Sequence, residues 1–296
     1  MISLKDSVDL LSSFWRWWLK RRNPVHLQAR RLLETFDAHG VSCTGINALL
    51  PPTLRLNAIC WSSPEHLVPV LTQDHIEWTA GFFALDSKWL AGRSDAAHQV
   101  IDSYKSPQQL SAWFEVRAPH HYDRFKLYLI TSSPAAYDQY TKGSYALVLE
   151  EFFEVDDDTF SRYYFLTNGA GFDHPPCVLH LMQVLAIAHH HKVIVRRALL
   201  ADKDLWPVAN GEGFIPTALN KNRGTPLEAD HEFWQHFSGE SPWLCDLRTA
   251  CDASLLDAGL HSVAESVQRD RVRFKRSSSA NQHEVGPLLS KAGNKI

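Results

Sequence analysis

The sequence predicts a multidomain α+β protein: a helical module toward the N-terminus, a central antiparallel sheet under one covering helix, a helical annex and a basic, disordered tail. Three observations carry this expectation. Apolar residues recur at helix spacing up to about residue 118, the period changes to that of strands between Arg124 and Leu166, and helix spacing returns near Thr217. With 296 residues, 45% hydrophobic and 21% charged, the chain has globular composition and exceeds the usual single core, so more than one domain is expected.

Residues 1–28 form the first expected element, a basic amphipathic helix. Val8, Leu11, Phe14, Trp15 and Trp18 share its apolar side, Lys20-Arg21-Arg22 crowd its last turn, and Pro24 stops it. Indoles beside cations suit a membrane interface, but clustered tryptophans more often mark a packing face or dimer contact, which is the expectation here. Arg16 and the basic triplet interrupt the apolar run well short of the roughly 20 residues that span a bilayer. Neither a membrane partner nor a secretory signal is therefore expected.

Residues 29–95 read as a compact module of five short helices. Ala29 to His39 carries Leu32, Leu33 and Phe36 on one side and ends at Gly40, where a left-handed C-cap is wanted. Ser42 or Thr44 caps a short helix through Ile46, Leu49 and Leu50, and Pro51-Pro52 breaks the chain. A third helix is expected from Thr53 to Cys60. Pro64 opens a fourth, and a fifth runs from Asp74 to about Leu85 with Ile76, Thr79, Ala80 and Phe83 inward. Phe82-Phe83-Ala84-Leu85-Asp86-Ser87-Lys88-Trp89-Leu90-Ala91-Gly92-Arg93-Ser94-Asp95 then closes the module.

That closing stretch resembles the last helix of the lambda-repressor/Cro (Xre-type) helix-turn-helix family, and Gly40-Val41-Ser42 is similar to the segment that opens its helix-turn-helix. The resemblance implies a DNA-binding module with Thr53 to Cys60 as recognition helix, Arg55 and Asn57 as base readers and Thr53 as a phosphate holder. Arg and Asn supply the forked donors that base readout needs. Cys43 and Pro51 stand where the family places Gln and Gly, so a module of the same fold turned to protein contact is the alternative.

Residues 96–118 are expected to be a connector helix, started by Ser106-Pro107, with Leu110, Trp113, Phe114 and Val116 as its apolar side. An α+β unit is placed at 119–216. Arg124 to Ile130, Tyr145 to Phe153 and Ser161 to Leu166 have the strand period, and Asp156-Asp157-Asp158 turns a hairpin. Pro175-Pro176 starts a helix from Cys177 to about His190, Lys192 to Ala198 is a β-branched strand, and Asp204 to Pro207 a short closing strand. Three or four antiparallel strands under one helix are similar, in architecture, to small-molecule sensor domains of the PAS type. Ligand sensing or dimerisation is what that likeness implies. A helical annex follows at 217–264, and 265–296 is the disordered basic tail.

No catalytic motif is found. Gly239-Glu240-Ser241-Pro242-Trp243 lacks the second glycine of a nucleophile elbow, and Asn168-Gly169-Ala170-Gly171 lacks the Lys-Ser/Thr of a phosphate loop. His231 and His236 are five apart, about 140° around a helix, where a zinc-protease pair needs four. His189-His190-His191 diverge by about 100° each and cannot share one ion, so neither metal nor cofactor is expected. Glu150-Glu151 with Arg196-Arg197 read as cross-strand ion pairs. Five scattered cysteines, Cys43, Cys60, Cys177, Cys245 and Cys251, make no Cys-x-x-Cys pair, as expected of a reducing cytoplasm.

The formal charge of −3 hides basic ends: residues 1–40 carry seven Lys/Arg against four Asp/Glu, and residues 265–296 carry seven against three. Arg269, Arg271, Arg273, Lys275 and Arg276 are the further candidate phosphate holders, because alternating cations neutralise nucleic acid without reading sequence. A solubilising terminus is the alternative. Together the parts predict a cytoplasmic, DNA-associated regulator whose second domain senses a ligand or partner. The competing expectation is a non-enzymatic interaction or scaffold protein, in which Trp15, Trp17 and Trp18 contact a protein partner or a second copy.

Overall fold

The computed structural model describes residues 23–117, 124–133, 137–221 and 242–271. The Trp-rich segment, Gly239 to Ser241 of the elbow-like segment, the His231/His236 segment, and Arg273, Lys275 and Arg276 lie outside these residues.

The N-terminal module is built around helix α1 (Pro24–Ala38), which Asn23 caps by accepting the Val25 N–H at 3.0 Å. Gly40, at φ +79°, turns the chain away at its end, as the sequence predicts. Then come α2 (Ile46–Leu49), α3 (Pro64–Leu67), α4 (Gln73–Phe83) and α5 (Ser87–Leu90), the last three opened by Ser63, Thr72 and Asp86. Leu32, Phe36, Ile46, Trp61, Leu67 and Phe83 fill the space between them. Trp89 and Leu90 are buried, and Arg31 donates to the carbonyls of Trp89 and Ser94 while lying 4.8 Å over the Trp89 ring. Gly92 has φ +74°, and a Cβ there would sit 3.1 Å from Leu27 Cδ2, so this closing turn presses directly on α1.

The expected helix from Thr53 to Cys60 does not form. Two 3-10 turns, Pro52–Leu54 and Ala58–Ser62, flank an extended Arg55-Leu56-Asn57. The reason lies in α2: Asn47 donates to the Leu56 carbonyl at 2.7 Å and accepts the Leu56 N–H at 3.1 Å, taking both groups that a helix would use. Asn47 Oδ1 also accepts from Trp61 Nε1 at 2.9 Å, which fixes the second turn on the core.

The described residues of the body form a five-stranded sheet in the order β1-β4-β3-β2-β5. The strands are β1 (Gln99–Val100), β2 (Phe125–Thr131), β3 (Ala146–Val155), β4 (Asp158–Phe165) and β5 (Ile194–Leu199). The β3-β4 hairpin matches the sequence reading, with Asp156 at φ +54° in its turn. The sheet is mixed and not antiparallel throughout, because β1 runs parallel to β4 and β5 parallel to β2. Helix α7 (Pro175–His190) makes the second arrangement possible by carrying the chain across β3 and β2 to the far edge.

Helices cover both faces, where one covering helix is expected. On one face α7 is buried from His180 to Ala188 between the sheet and α6 (Pro107–Arg117) and α10 (Pro242–Asp257). On the other, Ile130, Val148 and Phe165 meet Leu205, Val208 and Ile215 of α8 (Asp202–Ala209) and α9 (Ile215–Lys221). The expected strand at Asp204 to Pro207 is thus helix, with Asp202 and Asp204 placed favourably in its first turn. The connector is a short strand followed by α6, and residues 261–271 are helical, with Val263, Ala264 and Val267 buried in the α7 core. The expected disordered tail therefore starts too early at 265, since Val267 supplies apolar burial there. Among the described residues no helix is long and apolar enough to cross a membrane.

Candidate functional site

A cavity of about 580 Å³ opens where β4 ends and α7 begins. Its walls come from four segments, of which Ser144 ahead of β3 is the smallest. The segment after β1 contributes Asp102 and Tyr104, residues 167–171 contribute the floor, and the entry to α7 contributes Asp173, His174, Cys177 and His180. The loop Asn168-Gly169-Ala170-Gly171 takes its shape from Gly169 at φ +71°, whose N–H donates to the Ala209 carbonyl at 2.7 Å. A Cβ on Gly171 would fall 2.7 Å from Asp173 Oδ1, so a side chain there would turn that exposed carboxylate aside. Tyr145, fully buried, donates its hydroxyl to the Cys177 carbonyl at 2.6 Å and anchors the first turn of α7.

Two histidines belong to this wall. His174 Nδ1 lies 3.3 Å from Cys177 Sγ. His180 is 2% exposed; its Nε2 meets Ser103 Oγ at 2.8 Å, and its Nδ1 is buried with no partner among the described residues. Burial holds this imidazole down to about 4, so it is neutral near pH 7. A thiol beside an imidazole suggests a nucleophile and base, but acyl transfer also needs donors for an oxyanion. Pro175 and Pro176 have no N–H, and the amides of Cys177 and Val178 both donate to the His174 carbonyl. The start of α7 therefore offers a binding wall without an oxyanion hole.

The expected ion pairs of the sheet are placed differently. β5 neighbours β2, not β3, so Arg196 and Arg197 are two strands away from Glu150 and Glu151. Glu150 instead accepts from Tyr128, Ser161 and Tyr163 hydroxyls at 2.8, 2.8 and 2.9 Å. Burial first, and then Glu150, push the Tyr128 and Tyr163 phenols upward, which keeps them protonated as donors. On the opposite face Glu151, 1% exposed, pairs with Arg124 at 2.6 Å and Arg162 at 3.8 Å and accepts from Tyr164 at 2.9 Å. Arg197 donates to the Ser133 carbonyl at 2.7 Å and lies over Tyr137. The histidine run also divides, His189 meeting Asp270, His190 Ser266 and His191 Ser111.

Among the described residues, none of the candidate nucleic-acid contacts, Thr53, Arg55, Asn57, Arg269 and Arg271, lines the cavity. Thr53, Arg55 and Asn57 are exposed on the shelf between α2 and α3. Arg55 Nε donates to the Leu50 carbonyl at 3.1 Å, and Asn57 Oδ1 accepts the Ile59 N–H at 3.2 Å. Arg271 forms a two-pronged pair with Asp252 at 2.8 and 3.1 Å, and Arg269 Nε reaches the Glu265 carbonyl at 3.5 Å. A further signal stands in the sequence itself: between Arg31 and Lys88, Arg55 is the sole Lys or Arg, against Glu34, Asp37, Glu65, Asp74, Glu77 and Asp86. The cavity wall carries no motif, and the cue for it is a Gly-rich loop at a strand end followed by a Pro-Pro helix start. No known protein family, curated protein or solved structure matches the chain.

Proposed function

We propose that this chain is a ligand-responsive regulatory protein, with the cavity at the end of β4 as its sensing site and the N-terminal helical module as the part that engages a macromolecular partner. The path of the chain carries this reading. Leu85 of the module bridges to His98, β1 follows at once, and Asp102 and Tyr104 then wall the cavity. A ligand held there touches the segment that enters directly from the module, which gives it a route to bias how the two pack.

The exposed shelf suits a protein partner better than a base sequence. It presents one cation, Arg55, beside Ile59 at 58% exposure, on 3-10 turns and an extended link. Readout of DNA asks for a helix or ribbon in the groove and several cations on phosphates. Direct DNA contact through Thr53, Arg55 and Asn57 is the second reading, favoured by the succession of short helices closing on Trp89 and Gly92.

Fluorescence anisotropy of the full chain on DNA from its own upstream region and on scrambled DNA, over a salt series, separates the two. The expected result is no preference between the DNAs, with any binding falling steeply as salt rises. A preference that persists at moderate salt and vanishes in the Arg55→Ala/Asn57→Ala variant overturns the protein-partner reading in favour of a DNA-reading regulator.

A further inference from the structure

We infer that the cavity at the end of β4 takes a small organic cation rich in N–H donors, an alkylammonium or guanidinium compound. This rests on the ligand-sensing reading and adds the chemical class of the ligand.

Charge is the first ground. Asp102 and Asp173 line the cavity, and neither Lys nor Arg does. An anion would meet two carboxylates among the lining residues, against the one ammonium, Lys105, that lies over the Tyr104 ring. The N-terminus of α7 gives it no help, because its prolines lack N–H and the His174 carbonyl occupies the next two amides.

His180 adds no positive charge. Its Nε2 meets Ser103 Oγ at 2.8 Å, and burial holds the imidazole down to about 4, so the ring is neutral near pH 7. Two carboxylates beside an uncharged imidazole give the lining its acidic character.

Tyr104 adds an aromatic face. Its ring draws a cation, the Lys105 ammonium 5.4 Å from the centroid, and an aromatic ring among the lining residues suits an organic cation. The volume of about 580 Å³ lies within the range of small-molecule sites. Among the described residues no three metal-ligating side chains gather, so a bare metal ion lacks its donor set.

Isothermal titration calorimetry of the full chain with agmatine and putrescine, beside succinate and 1,4-butanediol as anionic and neutral probes, tests the inference. The expected result is one-to-one binding of agmatine or putrescine and none of the other two. Asp173→Asn, at an exposed position, should weaken that binding by about tenfold or more while the melting temperature stays unchanged. Preference for succinate or butanediol, no saturable binding of either cation, or undiminished affinity in both Asp173→Asn and Asp102→Asn overturns it. Hydrogen exchange of residues 85–104 with agmatine or putrescine bound separates this from the reading beneath it. A bound cation with unchanged exchange supports the ligand class and removes the regulatory role, whereas absent cation binding removes the class and leaves that role open to other ligands.

Discussion

His98 Nε2 accepts the Ile215 N–H at 3.0 Å, so the imidazole that follows the helical module is fixed as an acceptor inside the body. It is 2% exposed and stacked on Phe214, which in turn stacks on Trp89 at 5.1 Å. The closing motif of the module, the strand that leaves it and the helix covering the sheet are thereby joined through one neutral ring.

Acid should loosen this junction. Burial, and after it the neighbouring His39, lower His98 from 6.5 to about 3. A group depressed in the folded state contributes its full stability above the unfolded value and loses it as pH falls toward the folded one. Unfolding free energy should therefore fall as pH drops below about 6.5, by up to about 1.4 kcal/mol per pH unit for each such histidine. Urea denaturation at about pH 7.5 and about pH 5.5 should show a smaller drop for His98→Gln than for wild type. An identical drop in both would assign the acid sensitivity elsewhere.

The two adjacent carboxylates of β3 should respond unequally to neutralisation. Glu151→Gln leaves Arg124 and Arg162 facing an uncharged amide and should cost about 3–5 kcal/mol, the usual penalty for breaking a buried ion pair. Glu150→Gln replaces one of its two acceptor oxygens among three hydroxyls and should cost about 1–3 kcal/mol. Denaturant midpoints of the two variants give the order, and a reversed order would contradict the assignment of Arg124 and Arg162 as the partners.

Arg271 gives a third test, because the charge pattern suggests a phosphate contact where the fold provides a pair with Asp252. A double-mutant cycle of Arg271→Ala and Asp252→Ala should return a coupling of about 0.5–1 kcal/mol in the unfolding free energy. Additive single variants would show that the pair contributes nothing to stability.

How far these features can be read without the fold differs from element to element. The β3-β4 hairpin is legible because strand period and a three-aspartate turn agree, and α7 because two prolines mark its start. Thr53 to Cys60 is misread because the competitor for its backbone groups is Asn47, a residue in the preceding helix. α8 is misread since four residues, Asp204 to Pro207, are too few to separate a strand from two turns of helix. The helical layer on the second sheet face follows from α8, so it is missed with it. The cavity is only half legible: Asn168, Asp173 and His180 follow one another in the Gly-rich loop and the helix start, but Asp102 joins them only because β1 lies beside β4.

β1 pairs with only Tyr164 and Phe165 of β4. Elsewhere along that strand the neighbour is α4, where the Phe82 carbonyl receives Arg162 Nε at 2.7 Å and the Phe82 ring packs on Phe160. The helices are thus also the guard of a strand edge that would otherwise be open to other chains. Removing residues 24–92 should therefore bare the Ser161 to Tyr163 stretch of that edge and lead the remaining body to self-associate through it.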